Sequence, residues 1–322
     1  MKNFHLLFVT TLILLFAVAF AFNNSPAQVA SLTKQDWIDY HFERLSLEEQ
    51  IGQLFMVAAY SNRDEKHHVS IENLIRQYHI GGLIFFQGDP ISQAKLTNRY
   101  QQPAKTPLLI AIDAEWGLGM RLTNTISYPR QMTLGAIQDK QLIYNMGAEI
   151  ARQMKLIGVH INLAPVMDIN TNPVNPGIGS RSFGDSKGAV TSKGLAYIQG
   201  LQDNGILAVA KHFPGMGDAS KDAHDDLPTI SCDTSRLENI ELYPFKEAIL
   251  AGIGGIMVSH VYLPAYDTTA NRAVSLSSNV VTQLLKKKLG FEGLVFTDAL
   301  NMKAVTKYYQ PGEVDLLALQ AG

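Results

Sequence analysis

The sequence lacks several residue patterns, and each absence excludes a class of structure or function. Its 322 residues contain one cysteine, Cys232, so an intramolecular disulfide framework and a multi-cysteine zinc site are both excluded. Lysine and arginine number 27 against 29 aspartates and glutamates, and without a basic excess nucleic acid is not an expected partner. Only 17% of residues are charged and 46% are hydrophobic, as is typical of a globular protein with a large core.

Common metal motifs are also missing. The chain has no H-x-H pair in its first predicted strand and no HExxH helix. A metal-dependent hydrolase remains the alternative, because His212, His260, Asp168 and Asp298 all fall at the ends of predicted strands. The isolated histidines favour a site without metal, and we expect no cofactor.

The first 28 residues have the layout of a secretory signal. Lys2 precedes an apolar stretch from Leu6 to Phe22, and small and polar residues follow it. The stretch is close to the length of a membrane span, so an uncleaved anchor is the alternative. No cysteine lies beside it, which excludes a cysteine-linked lipid there. We expect an exported protein, secreted or periplasmic, with no other membrane association and a folded region over 35–322.

Beyond this segment, apolar β-rich runs alternate with helical patterns. Near-continuous valine, isoleucine and leucine in the runs is typical of a parallel sheet covered on both faces. The predicted strands are 51–59, 81–86, 108–115, 159–169, 206–214, 254–261 and 293–299, and the helical patterns include 137–156, 189–203, 235–250 and 278–289.

Polar residues collect at the carboxyl ends of these strands. They are Asp113, Asp168, Lys211, His212, His260 and Asp298. Chemistry is assembled at that edge in a (β/α)8 barrel, and an open doubly wound sheet has its crevice at the same edge. Seven strands without a glycine-rich dinucleotide loop after the first favour the α/β TIM-type (β/α)8 barrel.

The sequence stops at "LLALQAG", where a seventh helix would end and an eighth strand would begin. A barrel without its last strand has two unpaired edges, which proteins avoid. We therefore expect a barrel truncated before its eighth strand, with a possible second domain C-terminal to Gly322. A naturally open barrel is the alternative.

Asp298 in "VFTDALNM" is a candidate nucleophile. It follows β-forming residues, and a short carboxylate fixed at a strand end can approach a substrate carbon closely. The alternative is that Asp298 caps a helix over the following residues.

The stretch "KHFPGMGDASKDAHDDLP" over 211–228 is a candidate acid/base loop. Gly215 and Gly217 break regular structure, and we expect them to let the loop move over the site. Asp222 and His224 are two residues apart, so in an extended segment the carboxylate could orient the imidazole as a general acid/base. A solvated charged loop is the alternative.

Taken together, these motifs resemble the family 3 glycoside hydrolases and most nearly their β-N-acetylhexosaminidase branch, which trims peptidoglycan fragments. The resemblance extends from about residue 45 to the C-terminus. It rests on "KHFPGMGD…DAHDDLP", "NLAPVMDI…NPGIGSRSFG", "GGIMVSHVYLPAYD" and "GFEGLVFTDALNM".

The resemblance implies a retaining β-N-acetylglucosaminidase that acts on a carbohydrate substrate. Asp298 matches the family's nucleophile, and His224 with Asp222 matches the acid/base dyad of the branch. Sugar contacts fall on Asp113, Arg121, Arg181, Lys211 and His212.

Two departures from the family pattern bear on specificity. Met216 replaces the second histidine of "KHFPGHG", and Trp116 lies in "AEWGLGMR" where a glycine–glycine–arginine run is usual. A β-glucosidase or β-xylosidase, a glycoside phosphorylase, and a sugar-binding module without catalytic activity are the alternative functions.

Overall fold

The computed structural model describes residues 33–322, and the predicted signal segment over 1–28 lies outside the described residues. The chain divides into two compact units, Met1–Gln50 and Ile51–Gly322. In the first unit, helix α1 (Lys34–Phe42) begins with a capping box between Thr33 and Asp36. Across residues 33–322, no helix is both long enough and apolar enough to span a membrane.

The second unit contains a seven-stranded parallel sheet whose order follows the chain, β1 to β7. The strands are β1 (Met56–Ala59), β2 (Gly82–Phe85), β3 (Leu109–Ile112), β4 (Ile161–Asn162), β5 (Leu207–Phe213), β6 (Gly255–Val258) and β7 (Leu294–Thr297). Each pairs in parallel with its neighbour, so all the carboxyl ends meet at one edge. The seven predicted strands are confirmed.

Helices precede, connect and follow the strands. They are α2 (Leu47–Gly52), α3 (Glu65–Tyr78), α4 (Pro90–Gln101), α5 (Gln131–Gly135), α6 (Lys140–Leu156), α7 (Lys187–Gln202), α8 (Thr234–Asn239), α9 (Tyr243–Leu250), a π-helix (Asn279–Lys288), α10 (Lys303–Thr306) and α11 (Glu313–Ala321). Asp64, Asp89, Asp139 and Asp233 cap α3, α4, α6 and α8 through their side chains.

Most predicted strands are longer than the observed ones, and three predicted elements differ from the structure in an informative way. The strand expected over 51–59 begins only at Met56, because helix α2 extends to Gly52. The strand expected over 159–169 is limited to Ile161–Asn162, because the pairing with β5 becomes irregular after Asn162 and resumes only as an isolated bridge between Val166 and Lys211. The helix expected over 235–250 is two helices, and Pro244 lies in the first turn of the second.

The main hydrophobic core lies between the sheet and its helices. Helices α6 and α7 approach closely because Gly147 and Gly200 lie at their crossing. A Cβ on Gly200 would lie 2.3 Å from the carbonyl oxygen of Tyr144. This close packing fixes the helical layer behind β4 and β5, the strands that position the middle of the site.

The described fold is thus an α/β fold with a curled sheet of seven parallel strands, as the sequence predicts for a TIM-type domain. Closure by an eighth strand stays a prediction. Within the described residues, β1 and β7 each pair with one strand only, and both are less buried than β6.

Candidate active site

The residues expected to form the site lie at the carboxyl edge of the sheet or in loops that leave it. Lys211 and His212 lie in β5, where the pairing with β6 shifts register between Ala210 and Phe213. Asp113 and Asp298 follow β3 and β7 by one residue. Arg121 and Arg181 lie at short 3-10 helices, and Asp222 and His224 lie in the loop after β5.

Lys211 is a buried cation between two carboxylates. Its Nζ lies 2.7 Å from Asp113 Oδ1 and 2.9 Å from Glu115 Oε1. Burial alone would lower the pKa of Lys211, but Asp113 and Glu115 outweigh it and raise that pKa above its ordinary value. Lys211 is therefore held as a fixed positive charge below the carboxyl edge.

Glu115 joins Lys211 to Arg181. Arg181 Nη2 donates to Glu115 Oε1 at 2.6 Å and its Nε donates to Oε2 at 3.0 Å, while its Nη1 donates to the carbonyl oxygen of Gly177. Burial opposes ionisation of Glu115, but Lys211 and Arg181 bring its pKa well below the ordinary value. The sequence reasoning assigned no role to Glu115, although its position two residues after Asp113 was the available signal.

Asp168 orients His212 and the turn that follows β5. His212 Nδ1 donates to Asp168 Oδ2 at 2.7 Å, and the backbone N–H of Met216 donates to Asp168 Oδ1 at 2.7 Å. A carboxylate only accepts and a guanidinium only donates, so His212 Nε2 accepts from Arg181 Nη2 at 3.3 Å. This fixes the tautomer of His212. From the sequence Asp168 was a polar residue at a strand end and a ligand only in the metal-dependent alternative, and it was not among the predicted site residues.

Arg121 and Lys211 contact different carboxylate oxygens of Asp113. Arg121 Nη2 lies 2.7 Å from Asp113 Oδ2, and the guanidinium carbon of Arg121 lies 4.8 Å from the centre of the Phe86 ring. Phe86 in turn stacks on Tyr60 with ring centres 5.5 Å apart. Aromatic side chains after β1 and β2 therefore support the arginine, a contact that the sequence analysis did not identify.

A buried amide holds the two carboxylates in place. Asn162 Oδ1 accepts from the N–H of Ala114, the residue between Asp113 and Glu115, at 3.1 Å. Tyr197 donates to the carbonyl oxygen of the same residue at 2.9 Å. Both peptide groups at Ala114 are thus fixed, so the carboxylates before and after it have defined directions.

Asp298 is half-buried, and its surroundings favour its charged form. Its Oδ1 accepts from the N–H of Ala299 at 2.8 Å. Burial would raise the pKa of Asp298, but His212 and His260 in their cationic forms, the Ala299 amide and Lys211 together lower it below the ordinary value. The helix-capping alternative is wrong, because the next helix, α10, begins at Lys303 with Met302 as its N-cap.

His260 supports the turn around Asp298. Burial lowers the pKa of His260, so the ring is neutral near pH 7. Its Nε2 donates to the carbonyl oxygen of Ala299 at 3.2 Å, and its Nδ1 accepts from the Ser275 hydroxyl at 2.7 Å. His260 therefore braces the backbone that carries Asp298. From the sequence it was a polar residue at a strand end and a ligand only in the metal-dependent alternative.

Asp222 and His224 form the contact expected from their spacing. Asp222 Oδ1 accepts from His224 Nδ1 at 2.8 Å and from the backbone N–H of His224 at 2.9 Å. The side chain of His224 is 74% exposed, so its Nε2 faces solvent. Burial would raise the pKa of Asp222, but the hydrogen bonds and charge of His224, with Arg181, lower it.

The structure joins the expected site residues to different extents. Hydrogen bonds connect Arg121, Asp113, Lys211, Glu115, Arg181, His212 and Asp168 into one network. Asp298 interacts electrostatically with Lys211 and His212, and Asp222 with Arg181. Within residues 33–322, no hydrogen bond joins His224 to Asp298.

Two glycines of the acid/base loop have roles in its backbone. Gly215 has a positive φ of 117°, which an L side chain rarely adopts. A Cβ on Gly217 would lie 1.7 Å from the carbonyl oxygen of Ile169. Both glycines are thus required by the loop's resting geometry, and their predicted part in loop movement stays a prediction.

The two departures from the family pattern lie in different environments. Met216 is buried against the main core, and its backbone N–H is the group that contacts Asp168. Trp116 is half-buried, and the guanidinium of Arg130 lies 4.6 Å from its ring centre. Trp116 is therefore the departure that a bound ligand could reach.

This arrangement is suited to substitution at a carbon that carries oxygen substituents. It supplies an ionised carboxylate, a histidine held by a carboxylate, and fixed cations that can bind hydroxyl and carbonyl oxygens. Over residues 33–322, no three or more histidine, cysteine or acidic side chains are grouped so that they could hold a metal ion.

Comparison with known proteins gives consistent matches. Residues 46–322 match the family described as glycosyl hydrolase family 3 N-terminal domain. The chain is 34% identical over 275 residues to beta-hexosaminidase A of Pseudoalteromonas piscicida, covering 78% of this chain and 46% of that protein. It is 32% identical over 282 residues to a beta-hexosaminidase of Nitrosomonas eutropha, and the match covers 84% of this chain and 79% of that protein.

Among solved structures, a family 3 beta-N-acetylglucosaminidase from Paenibacillus sp. is similar with a TM-score of 0.81 and 39% identity. The match covers 86% of this chain and 54% of that one. The chain thus spans about half the length of the Pseudoalteromonas and Paenibacillus proteins, and more of the Nitrosomonas protein.

Proposed function

The chain belongs to glycosyl hydrolase family 3, and on that premise we propose that it removes terminal β-linked N-acetylhexosamine by a retaining mechanism. The names of its relatives, beta-hexosaminidase and beta-N-acetylglucosaminidase, support this substrate class. The observation that carries the proposal is the Asp222–His224 contact at 2.8 Å beside a site that contains an ionised Asp298.

In the first step, a carboxylate oxygen of Asp298 attacks the anomeric carbon and the glycosidic C–O bond breaks. His224 Nε2 gives its proton to the departing oxygen, and a covalent glycosyl-Asp298 ester results. Asp222 accepts from His224 Nδ1, so it fixes the ring and stabilises the imidazolium before transfer.

In the second step, His224 Nε2 takes a proton from water as the water oxygen attacks the anomeric carbon. The ester bond to Asp298 breaks, and the sugar leaves with its original configuration. One imidazole therefore acts as acid and then as base. His224 lies on a loop and is exposed, so we propose that the loop closes over bound sugar to deliver it.

The network beneath the site would bind the sugar. Asp113 accepts from Arg121 and Lys211, which leaves its carboxylate oriented for sugar hydroxyls. Arg181 and His212 are fixed by Glu115 and Asp168 and can contact hydroxyl or amide oxygens. We assign substrate binding to Asp113, Arg121, Arg181, Lys211 and His212.

We also propose the wider setting of this activity. The half-exposed edge strands β1 and β7 support closure of a TIM-type barrel by an eighth strand, and the longer relatives support a second domain. The layout of residues 1–28 supports export to the periplasm or medium, where peptidoglycan fragments would be available substrates.

A panel of 4-nitrophenyl β-glycosides tests the function in the full-length protein. We expect hydrolysis of the N-acetylglucosaminide in preference to the glucoside and xyloside, without dependence on phosphate. Asp298→Asn should abolish turnover, and a matched change at exposed Asp225 should not.

Preference for the glucoside would indicate a β-glucosidase that uses the same retaining mechanism. Turnover that requires phosphate would indicate a phosphorylase. No turnover by the folded protein would indicate a sugar-binding module and refute the proposal.

A further inference from the structure

The loop that carries the acid/base dyad is fixed at both ends. At its start, Asn175 Nδ2 donates to the carbonyl oxygens of Met216 at 2.8 Å and Gly217 at 3.1 Å. At its end, the backbone N–H of Tyr262 donates to the carbonyl oxygen of Pro228 at 2.7 Å, and the backbone N–H of Ile230 donates to the carbonyl oxygen of Tyr262 at 2.9 Å. Movement of His224 is therefore confined to the residues between these anchors.

Asp226 is the most highly bonded side chain between the anchors. Its Oδ1 accepts from Lys307 Nζ at 2.9 Å, from the Tyr308 hydroxyl at 3.1 Å and from the N–H of Leu227 at 3.0 Å. Its Oδ2 accepts from Lys221 Nζ at 2.9 Å. These bonds lower the pKa of Asp226, so its carboxylate is ionised and holds all four donors near pH 7.

Two of these donors belong to the segment that follows the nucleophile. Lys307 and Tyr308 lie directly after α10, which is a few residues beyond Asp298. The same segment contacts the other side of His224, because the N–H of Ala304 donates to the carbonyl oxygen of Ala223 at 3.1 Å. His224 thus lies between two tethers to the chain segment that leaves Asp298.

A hydrophobic cluster also joins the loop to the segment that follows Asp298. Ala223 and Leu227 from the loop pack with Met302 and Val305 from the nucleophile side, and Tyr308 packs against them. Hydrophobic contacts are not directional, so the cluster holds the two segments together without fixing their exact relative position. Asp226 adds the directional, charge-assisted bonds that set where the loop lies.

We infer that Asp226 is a positioning residue for general acid/base catalysis, because it fixes the His224 loop to the segment after the nucleophile. This inference rests on the proposed function. Asp225, the residue before Asp226 on the same loop, does not have such a set of contacts. The side chain of Asp225 is 80% exposed, and within residues 33–322 its one ion pair is with Lys303, at 3.8 Å.

The test compares Asp226→Ala with Asp225→Ala in the full-length protein. Two substrates are used, 2,4-dinitrophenyl β-N-acetylglucosaminide and a disaccharide with N-acetylglucosamine at its non-reducing end. The first has a leaving group that needs no proton, and the second depends on His224.

For Asp226→Ala we expect kcat/KM on the disaccharide to fall about 10- to 100-fold, as for a displaced general acid, with less than about threefold change on the dinitrophenyl substrate. Asp225→Ala should match the wild type on both substrates.

Variants of the two partners of Asp226 distinguish loss of this contact from a general loss of folded protein. Lys307→Met and Tyr308→Phe keep most of the packing and should each produce a smaller loss on the disaccharide alone. Asp226→Asn should retain more activity on the disaccharide than Asp226→Ala, because its amide oxygen can still accept a hydrogen bond from the Tyr308 hydroxyl. Hydrogen–deuterium exchange of peptides within 218–227 should quicken in Asp226→Ala, and exchange of β5 should be unchanged.

Equal losses on both substrates, or no loss on either, would overturn the inference. So would losses in Asp225→Ala as large as those in Asp226→Ala. These outcomes differ from failure of the proposed function, in which the wild type itself would not hydrolyse either N-acetylglucosaminide. The exchange measurement needs no substrate and tests the loop contact in either case.

Discussion

Replacement of Glu115 by glutamine tests whether one buried carboxylate holds the cationic network together. The side chain of Glu115 is 0% exposed and that of its partner Lys211 is 3% exposed, so neither charge can be solvated if the other is lost. Glutamine keeps the shape but leaves Lys211 and Arg181 with one negative partner fewer. We expect the free energy of unfolding to fall by about 3–5 kcal/mol, the usual loss when a buried ion pair is broken.

Urea denaturation at pH 7, followed by fluorescence and circular dichroism, measures this loss. Glu149→Gln is the matched control, because it removes the same group from a surface pair. Arg152 Nη2 lies 2.7 Å from Glu149 Oε1, and the arginine side chain is 60% exposed. Such a helical surface pair contributes about 0.5 kcal/mol or less.

The pH dependence of the difference has a defined sign. The pKa of Glu115 is lowered in the folded state, so its stabilising effect is present above the pKa of an unfolded glutamate, about 4.3, and is lost as pH falls through the folded value. The stability gap between wild type and Glu115→Gln should therefore be constant from pH 6 to 8 and narrow only in acid. A loss no larger than that of Glu149→Gln would refute the reasoning.

Three further predictions concern catalysis. His224→Ala should lower kcat/KM for a disaccharide by about 10²–10⁴ and affect a dinitrophenyl glycoside far less, and equal losses would exclude the acid role. Phe86→Leu should raise KM about two- to fivefold, because Arg121 loses a ring contact of ~0.5–1 kcal/mol, and an unchanged KM would contradict this. Lys211→Met should move the acid limb of the kcat/KM pH profile to higher pH, since Lys211 lowers the pKa of Asp298, and a fixed limb would argue against Asp298 as the titrating group.

The parallel sheet could be predicted because buried parallel strands leave a continuous apolar signal in the sequence. All seven strands are present, and the Asp222–His224 contact follows from residues two apart in an extended loop. The ends of elements were less predictable, since they depend on local strand pairing and on single residues. The pairing of β4 with β5 becomes irregular after Asn162, and Pro244 begins a new helix inside an apparently continuous pattern.

The network beneath the site could not be predicted from local pattern. Glu115 and Arg181 are 66 residues apart in sequence, and they meet at 2.6 Å because they follow β3 and β4, which are neighbours in the sheet. Asp168 and His260 fall at the ends of predicted strands like the expected site residues, but Asp168 orients His212 and His260 braces the backbone at Ala299. Sequence position alone does not separate a group that contacts the ligand from one that positions another side chain.

The most direct test of the central claim is peptide mass spectrometry after incubation with a 5-fluoro N-acetylglucosaminyl fluoride, which forms the glycosyl-enzyme quickly and hydrolyses it slowly. We predict one sugar per chain, attached to Asp298, and no labelling of Asp298→Asn. Labelling of a different carboxylate, or turnover of the reagent with inversion and without any adduct, would contradict the account.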